Sequence, residues 1–302
     1  MKINVSEQEV LEGLVLANRD MLSLNENIVI SNALANANRV VVVAIGASGT
    51  EPSICGFVGQ SMADIAVIGN LEAAPGPTQV LKAVQAADRG QGVLLVVMNN
   101  AGDILTSNIV LKEAEKLGLK VARVIVHDEA IATAVDFADQ EAVAENSAQR
   151  QGLVGVLPAL KVAGAAAQAG LALEQVAEIA QGCTDNTATA SFRQEAVTEE
   201  LTADTIAEAI LPQIEGYLKL QPEEQLLLII NGNETMSLRE QLALYRSCYV
   251  YLMQRGFKVV AGKANNYFTG QAKIYSQVCV VKLTDQQLEL WNQPCQAAYF
   301  NM

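Results

Sequence analysis

The feature that most constrains the fold of this chain is a series of short, continuously apolar segments separated by stretches with helical character. Three of these segments lie at residues 40–44, 65–68 and 93–97, and a further strand is predicted at residues 121–126. A strand that is apolar on both of its faces is expected where helices cover both sides of a parallel sheet. The first half of the chain is therefore predicted to form an α/β unit around a parallel sheet.

The second half continues this alternation with a different composition. Residues 151–182 are rich in Ala and Gly and predict two tightly packed helices, and an acidic stretch follows between residues 195 and 208. Further strands are predicted at 226–230, 258–261 and 278–283, with helices at 237–255 and from 285 onward. We predict an α/β protein with two α/β domains on largely parallel or mixed sheets. The first domain spans residues 1–183 and the second, shorter one spans residues 184–302.

Composition excludes several classes of function. The chain has 302 residues, 51% of them hydrophobic, which is enough to bury a sizeable core. Its 20 Lys and Arg against 33 Asp and Glu give a net charge of −13, which argues against direct binding to nucleic acid or to an anionic membrane. The apolar runs are far shorter than the roughly 20 residues of a membrane helix, and the N-terminus lacks the pattern of an export signal. A cytoplasmic location is therefore predicted.

Histidine and cysteine usage restricts the chemistry further. The single histidine, His127, excludes mechanisms that need two imidazoles and metal sites built from several. The five cysteines show no CxxC spacing, so they are predicted to be buried small apolar side chains.

Three predicted strand ends carry polar loops that would meet at one edge of a parallel sheet. Residues 46–52 contain two glycines and two hydroxyls, so this loop either holds an anion or a hydroxylated ligand on its N–H groups or is simply a tight turn. Asp103 follows the third strand and is either a proton acceptor for a substrate hydroxyl or a cap of the next helix. His127 and Asp128 follow the fourth strand and are either catalytic groups or surface and capping groups.

The loop sequence carries a resemblance to a known family. Residues 46–59, GASGTEPSICGFVG, resemble the GGGSGHEPxxxGFVG signature of the dihydroxyacetone kinase K subunit. The similarity continues, in order, through residues 74–80, 92–97, 102–103, 150–155, 161–166, 231–232, 245–246 and 266–269. It extends over nearly the whole chain.

The resemblance implies a specific activity. K subunits of this family are homodimers that bind dihydroxyacetone and link its carbonyl to a histidine as a hemiaminal. The nucleotide and metal belong to a separate L subunit, recharged by an M subunit in the phosphotransferase version, so no cofactor is expected on this chain. Asp103 corresponds to the family's catalytic base. The substrate-binding positions correspond to Gly46, Ala47, Ser48, Gly49, Thr50 and Met98.

Three departures from the family pattern bear on that activity. Thr50 stands where the family has a histidine that assists proton transfer, and Met98 stands where it has a lysine. The segment with the hemiaminal histidine, expected between Asn186 and Asn231, has no counterpart. Lys161 and Lys263 are the amines that the spacing leaves as replacement nucleophiles, and both are expected at the surface.

Three hypotheses follow. In the first, the chain is a catalytically degenerate paralogue that binds a small ketose or another metabolite, or a regulatory protein. In the second, it is an active substrate-binding subunit for a short ketose or triose, phosphorylating through a partner subunit. In the third, the loop at residues 47–50 binds a phosphorylated metabolite. The missing segment favours the first, because a catalytic subunit needs a covering loop that excludes water.

Overall fold

A computed structural model describes residues 3–133, 151–193, 202–270 and 274–302. The helices are α1 Glu7–Ala17, α2 Pro77–Ala87, α3 Ala101–Lys116, α4 Val156–Gln168, α5 Leu173–Asp185, α6 Ala203–Leu218, α7 Leu238–Gln254 and α8 Asp285–Trp291. The strands are β1 Leu22–Asn25, β2 Ile28–Ser31, β3 Val41–Ser48, β4 Gly59–Gln60, β5 Ile65–Leu71, β6 Val93–Met98, β7 Val121–Val126, β8 Glu129–Thr133, β9 Thr187–Arg193, β10 Gln225–Asn231, β11 Lys258–Asn265, β12 Ile274–Lys282 and β13 Gln296–Ala297.

The first sheet has six strands in the order β1-β2-β5-β3-β6-β7. Strands β5, β3, β6 and β7 run parallel, and the hairpin β1–β2 joins the edge in antiparallel fashion. Alternate residues of β3 belong to different cores: Val42 and Ala44 pack toward α4, whereas Val41 and Val43 pack toward α2. Burial on both faces explains the continuous apolar segments, and the predicted parallel sheet is confirmed.

The second sheet has five strands in the order β11-β10-β12-β9-β8. It is mixed, because β10 pairs parallel with β11 but antiparallel with β12. Helices α6 and α7 cover one face, where Leu226 and Leu228 are buried. The other face, with Leu227 and Ile229, joins the same core as α4 and the first sheet. The predicted architecture of two α/β units on parallel or mixed sheets is thus confirmed.

The chain passes between the two sheets more than once. Strand β8 precedes residue 183 in the sequence but pairs with β9 in the second sheet. Helix α8 and strand β13 follow residue 184 but pack against α4 and pair with β4, respectively. The two sheets are therefore not divided at a single point in the sequence, and the boundary at 183/184 stays a prediction about folding units.

Two further expectations concern burial and membranes. All five cysteines are free and buried, as predicted. Among the residues that the structure describes, no helix combines the length and the apolar character needed to cross a bilayer.

Candidate functional site

The loop at residues 46–52 and the start of α3 lie side by side at the carboxyl edge of the first sheet. Ile45 of β3 is in register with Val97 of β6, which places Gly46 beside Met98. A Cβ atom built on Gly46 would lie 3.0 Å from Met98 Cε, so the buried thioether packs directly over this glycine. The structure therefore brings Met98 and the loop together.

Two donors of the loop at residues 46–52 are used locally. The Gly49 N–H donates to Glu51 Oε1 at 2.9 Å, and the Thr50 hydroxyl donates to Ser53 Oγ at 3.1 Å. The Glu51 carboxylate thus occupies a position where an anion would otherwise bind, which disfavours the third hypothesis, a phosphorylated ligand. Ser48 Oγ is buried and has no hydrogen-bond partner in the part of the chain that the structure describes.

Asp103 is a buried carboxyl group at this edge. It lies in the first turn of α3, is only 2% exposed, and accepts one hydrogen bond, 3.1 Å long, from Asn100 Nδ2 on Oδ2. Its other oxygen, Oδ1, has no partner among the described residues. Burial raises the pKa of Asp103 to about 6, against the lowering effect of the Asn100 hydrogen bond. A carboxyl group with this pKa and a free oxygen can accept a proton from a ligand hydroxyl near neutral pH.

The alternative role for Asp103, as a helix cap, has no support in the geometry. The N-cap residue of α3 is Asn100, and no side-chain capping hydrogen bond forms there. The Asp103 carboxylate accepts from the Asn100 side chain and not from the Asn100 backbone.

A loop of the second unit, residues 266–270, is held in a fixed shape by Asn231 at the end of β10. Asn231 Oδ1 accepts from the N–H groups of Tyr267 and Phe268, at 2.8 and 3.0 Å. Its Nδ2 donates to the Phe268 carbonyl at 2.9 Å and to Gln277 Oε1 at 2.8 Å. Asn231 is fully buried, so these four bonds satisfy its amide and determine the conformation of the loop.

This segment, which we call the cover loop (residues 266–270), lies on the loop at residues 46–52 of the first unit, which we call the signature loop. Phe268 forms an isolated bridge with Pro52, and the Thr269 hydroxyl donates to the Glu51 carbonyl. A Cβ atom built on Gly270 would lie 2.2 Å from the Gly49 carbonyl oxygen, so the two backbones are in direct contact. Residue-by-residue reasoning missed Asn231 and Gly270 as site-forming residues. The available signal was the polar Asn-Gly-Asn sequence that ends a buried strand.

The polar residues that follow strand β7, His127 and Asp128, do not join the signature loop, and Asp128 has a structural role. Asp128 is fully buried; its carboxylate accepts from the N–H groups of Leu153 and Gly155, at 2.7 and 2.8 Å, and from the Thr189 hydroxyl. It therefore links β7 to the start of α4 and to β9. His127 Nε2 lies 3.2 Å from Asp185 Oδ1, away from the signature loop along the sheet edge.

The expectation that both lysines are at the surface is wrong for Lys161. Its side chain is fully buried in α4, and Nζ donates to the Leu290 carbonyl at 2.8 Å. Burial lowers the pKa of this lysine. The carbonyl at the end of α8 supplies the hydrogen bond that a buried ammonium group needs. Lys263 is half-buried on β11, with its ammonium 5.3 Å from the Phe300 ring centroid.

The chain leaves little room for the family's hemiaminal segment. Strand β9 ends at Arg193 and the N-cap of α6 is Thr202, so only residues 194–201 lie between them. Their sequence, QEAVTEEL, contains neither histidine nor lysine.

Two open cavities lie away from the signature loop. One, of about 390 Å³, is lined by residues that include Cys295 and Met302. The other, of about 430 Å³, is lined by residues that include Arg39 and Gln168. None of the predicted site residues lines either cavity.

The fold and this edge define a two-sheet α/β protein in which a loop of the second unit covers a glycine-rich loop of the first. The sequence profile of the Dak1 domain matches residues 12–199 and 193–299. The chain is 28% identical, over 98% of its length and 96% of the relative's, to a protein named PTS-dependent dihydroxyacetone kinase 2, dihydroxyacetone-binding subunit DhaK, from Listeria innocua serovar 6a.

Two solved structures share this fold. One, titled for the regulation of the dha operon of Lactococcus lactis, superposes with a TM-score of 0.86 at 23% identity, covering 98% of this chain and 95% of that one. The other, a dihydroxyacetone kinase operon co-activator, Dha-DhaQ, superposes with a TM-score of 0.83 at 22% identity, covering 98% of both chains. The chain belongs to the Dak1 family, the family of the dihydroxyacetone kinase K subunits.

Proposed function

We propose that this protein binds a small ketose or a related hydroxylated metabolite, without a covalent bond, at the carboxyl edge of the first sheet beside the signature loop, and acts as a regulatory paralogue of the kinase subunit. The observation that carries the proposal is a pair of buried, unpartnered oxygens, Asp103 Oδ1 and Ser48 Oγ, at one edge of the first sheet. Buried oxygens of this kind favour a ligand that donates hydroxyl hydrogens.

The side chains around these oxygens support binding over catalysis. Met98 places a thioether at the position where the family has a lysine, and Thr50 provides a hydroxyl that does not titrate near neutral pH. Removal of an acid/base group and of a cationic contact each costs roughly 10²–10⁴-fold in rate. A protein with both changes and without the nucleophile retains a binding site but little chemistry.

A second candidate function rests on Asp103 alone. Its pKa of about 6 suits a general base, so the protein can be an active substrate-binding subunit whose partner subunit supplies the nucleotide and metal. The relative from Listeria innocua carries the name of such a subunit.

We also propose partners and a location for this protein. The protein acts in the cytoplasm as a homodimer, binds no cofactor of its own, and associates with an L-type kinase subunit or with a regulatory protein. The name of the structurally similar Dha-DhaQ protein, an operon co-activator, supports a regulatory partner.

Calorimetric titration with millimolar dihydroxyacetone, combined with native mass spectrometry, tests the proposal. We expect a heat of binding and a reversible complex without a covalent adduct. Asp103→Asn should weaken binding by roughly 10–100-fold, because a hydrogen bond to a charged acceptor contributes about 1.5–3 kcal/mol. The matched variant Asp20→Asn, at an exposed position, should bind like the unaltered protein. Absence of binding heat in the unaltered protein would contradict the proposal.

A kinase assay separates the two candidate functions. With a phosphoryl-charged L-type subunit and dihydroxyacetone, we expect no product above the background of the L-type subunit alone. Product that depends on this chain and disappears in Asp103→Asn would establish the active-subunit function.

A further inference from the structure

Residues 295–302 form a segment that packs behind the cover loop, and we call it the supporting segment. Strand β13, near its start, pairs with β4. The Tyr299 N–H donates to the Gly56 carbonyl at 2.9 Å. Gly56 belongs to a short helical turn, Ser53–Phe57, that follows the signature loop directly. The supporting segment is therefore anchored to the backbone just beyond the signature loop.

A row of aromatic rings joins the supporting segment to the cover loop. The centroid of the Phe300 ring lies 6.1 Å from that of Tyr267 and 5.8 Å from that of Trp291. The Tyr267 ring in turn lies 6.2 Å from Phe57, which lies 5.6 Å from Phe268. All of these side chains are at most 4% exposed. The ring separations lie within the range of about 4.5–7 Å in which aromatic pairs are favourable.

Two kinds of contact therefore fix the cover loop. Asn231 holds its backbone, because Asn231 Oδ1 accepts from the N–H groups of Tyr267 and Phe268. Phe300 holds the Tyr267 side chain from the opposite end of the chain's aromatic row. The Tyr267 hydroxyl makes no hydrogen bond to the residues that the structure describes, so ring packing positions this side chain.

The signature loop depends on the cover loop in turn. The Thr269 hydroxyl donates to the Glu51 carbonyl, and the Glu51 carboxylate accepts from the Gly49 N–H. Gly49 follows Ser48, whose buried Oγ has no partner among the described residues. A displacement of the cover loop therefore reaches the oxygen to which the proposed function assigns a ligand hydroxyl.

We propose that Phe300 is a positioning residue for ligand binding, and that its ring, carried by the supporting segment, holds Tyr267 and with it the cover loop in the conformation that shapes the binding edge. This inference rests on the proposed function and adds to it a residue that acts through Tyr267.

Phe257 provides a matched control for Phe300. It is 4% exposed, against 3% for Phe300, but it lies in the core beneath α6 and α7. It immediately precedes β11, whereas the cover loop follows the end of that strand, and the eight residues of β11 span roughly 26 Å. Replacement of either phenylalanine by leucine removes a buried ring, but only one of the two rings contacts the cover loop.

Hydrogen exchange followed by mass spectrometry tests the proposal on the full chain without ligand. In Phe300→Leu, the amides of residues 266–270 should exchange about 2–10-fold faster, because loss of an aromatic ring contact favours local opening. In Phe257→Leu, their exchange should be unchanged, although urea denaturation should show a comparable loss of stability in both variants. Equal exchange of residues 266–270 in the two variants overturns the proposal.

Substitutions at Tyr267 separate the ring from the hydroxyl. Tyr267→Phe keeps the ring that contacts Phe300 and should exchange like the unaltered protein. Tyr267→Leu removes the ring and should match Phe300→Leu. Faster exchange in Tyr267→Phe would assign the effect to the hydroxyl and overturn the role of the ring contact.

Exchange in the unaltered protein at low urea concentrations provides a measurement that needs no variant. If Phe300 holds the cover loop, residues 266–270 and the supporting segment should open together and show the same dependence on urea. Protection at residues 266–270 that outlasts protection at Tyr299 overturns the proposal.

Calorimetric titration with dihydroxyacetone connects the positioning role to the ligand. Phe300→Leu should weaken binding by about 2–10-fold, the effect expected for one lost ring contact, whereas Phe257→Leu should bind like the unaltered protein. Faster exchange in Phe300→Leu with unchanged affinity overturns the positioning role. Absence of binding heat in the unaltered protein contradicts only the proposed function, and the exchange measurements then decide whether Phe300 holds the cover loop.

Discussion

Among single residues, Asp103 has the largest consequence for the chemistry of this protein. A carboxyl group that is 2% exposed with one hydrogen bond is poorly solvated when ionised, and its pKa rises from 3.8 to about 6 for that reason. The group therefore changes its charge within a pH range in which the protein can be studied. Folding stability depends on that change, and so does the proposed ligand binding.

Asp103 makes stability depend on pH in a defined direction. A carboxyl group whose pKa is higher in the folded state stabilises the protein fully below pH 4, and this contribution is lost as the pH rises through 6. The variant Asp103→Asn lacks the titration. Relative to the unaltered protein, its free energy of unfolding should therefore increase between pH 4 and pH 8 by about 2–3 kcal/mol, since one pKa unit corresponds to about 1.4 kcal/mol.

Urea denaturation at several pH values measures this difference. Asp20→Asn, at an exposed position, should change the pH dependence far less. If the difference in free energy of unfolding between Asp103→Asn and the unaltered protein stayed constant from pH 4 to pH 8, the Asp103 carboxyl group would not be in a desolvated environment.

Sequence reasoning found some of these residues and not others, for physical reasons. Asp103 and Met98 follow a continuously apolar strand, so their place at a sheet edge is fixed locally. The burial of Lys161 depends on the Leu290 carbonyl, 129 residues away in the sequence. A lysine in an apolar helical stretch gives no indication of such a partner, because the partner is a backbone atom that has no sequence signature.

At the level of elements, the strands were the most predictable part of the fold. Strands β3, β5 and β6 contain runs that are apolar on both faces, and this pattern specifies their positions and their parallel arrangement; β7, which carries Arg123, continues the same alternation with helices. Strand β8 was not predicted, because its five residues mix apolar and polar types and its pairing with β9 joins segments far apart in sequence. The contact between the cover loop and the signature loop is equally non-local.

That contact depends on glycine at position 270. Gly270 has a φ of +70°, and a Cβ atom there would meet the Gly49 carbonyl oxygen at 2.2 Å. Gly270→Ala should therefore displace the cover loop, lower the free energy of unfolding by about 2–4 kcal/mol and weaken ligand binding. Thermal denaturation and calorimetric titration measure the two effects.

Gly118→Ala is the matched control for this variant. Gly118 also has a φ of +70°, but a Cβ atom there would meet nothing within 4 Å. Gly118→Ala should lower the free energy of unfolding only by the cost of placing alanine in left-handed backbone, about 1–2 kcal/mol. Its ligand affinity should be unchanged. If the two substitutions had equal effects, the contact of residue 270 with the signature loop would contribute nothing to stability or to ligand binding.

At the scale of the whole molecule, one core extends across both sheets. It includes Ala44 of the first sheet, Leu157 of α4, and Leu227 and Val281 of the second sheet, all buried. The chain enters the second sheet with β8, returns to the first sheet with α4 and α5, and goes back to the second with β9. It returns once more with α8 and β13, which contact α4 and β4, so the two sheets are joined by shared packing as well as by repeated crossings of the chain.

This arrangement predicts that the protein unfolds as one unit. Residues 184–302 alone lack β8 and expose the face of the second sheet that carries Leu227 and Ile229. Residues 1–183 alone lack α8, whose Leu290 carbonyl is the hydrogen-bond acceptor of Lys161. An unpartnered buried ammonium group and an uncovered apolar face are each strongly destabilising.

We expect neither fragment to show a cooperative urea transition, whereas the full chain shows a single one by circular dichroism and by Trp291 fluorescence. Cooperative unfolding of either fragment would instead establish residue 183/184 as a boundary between independently folding domains.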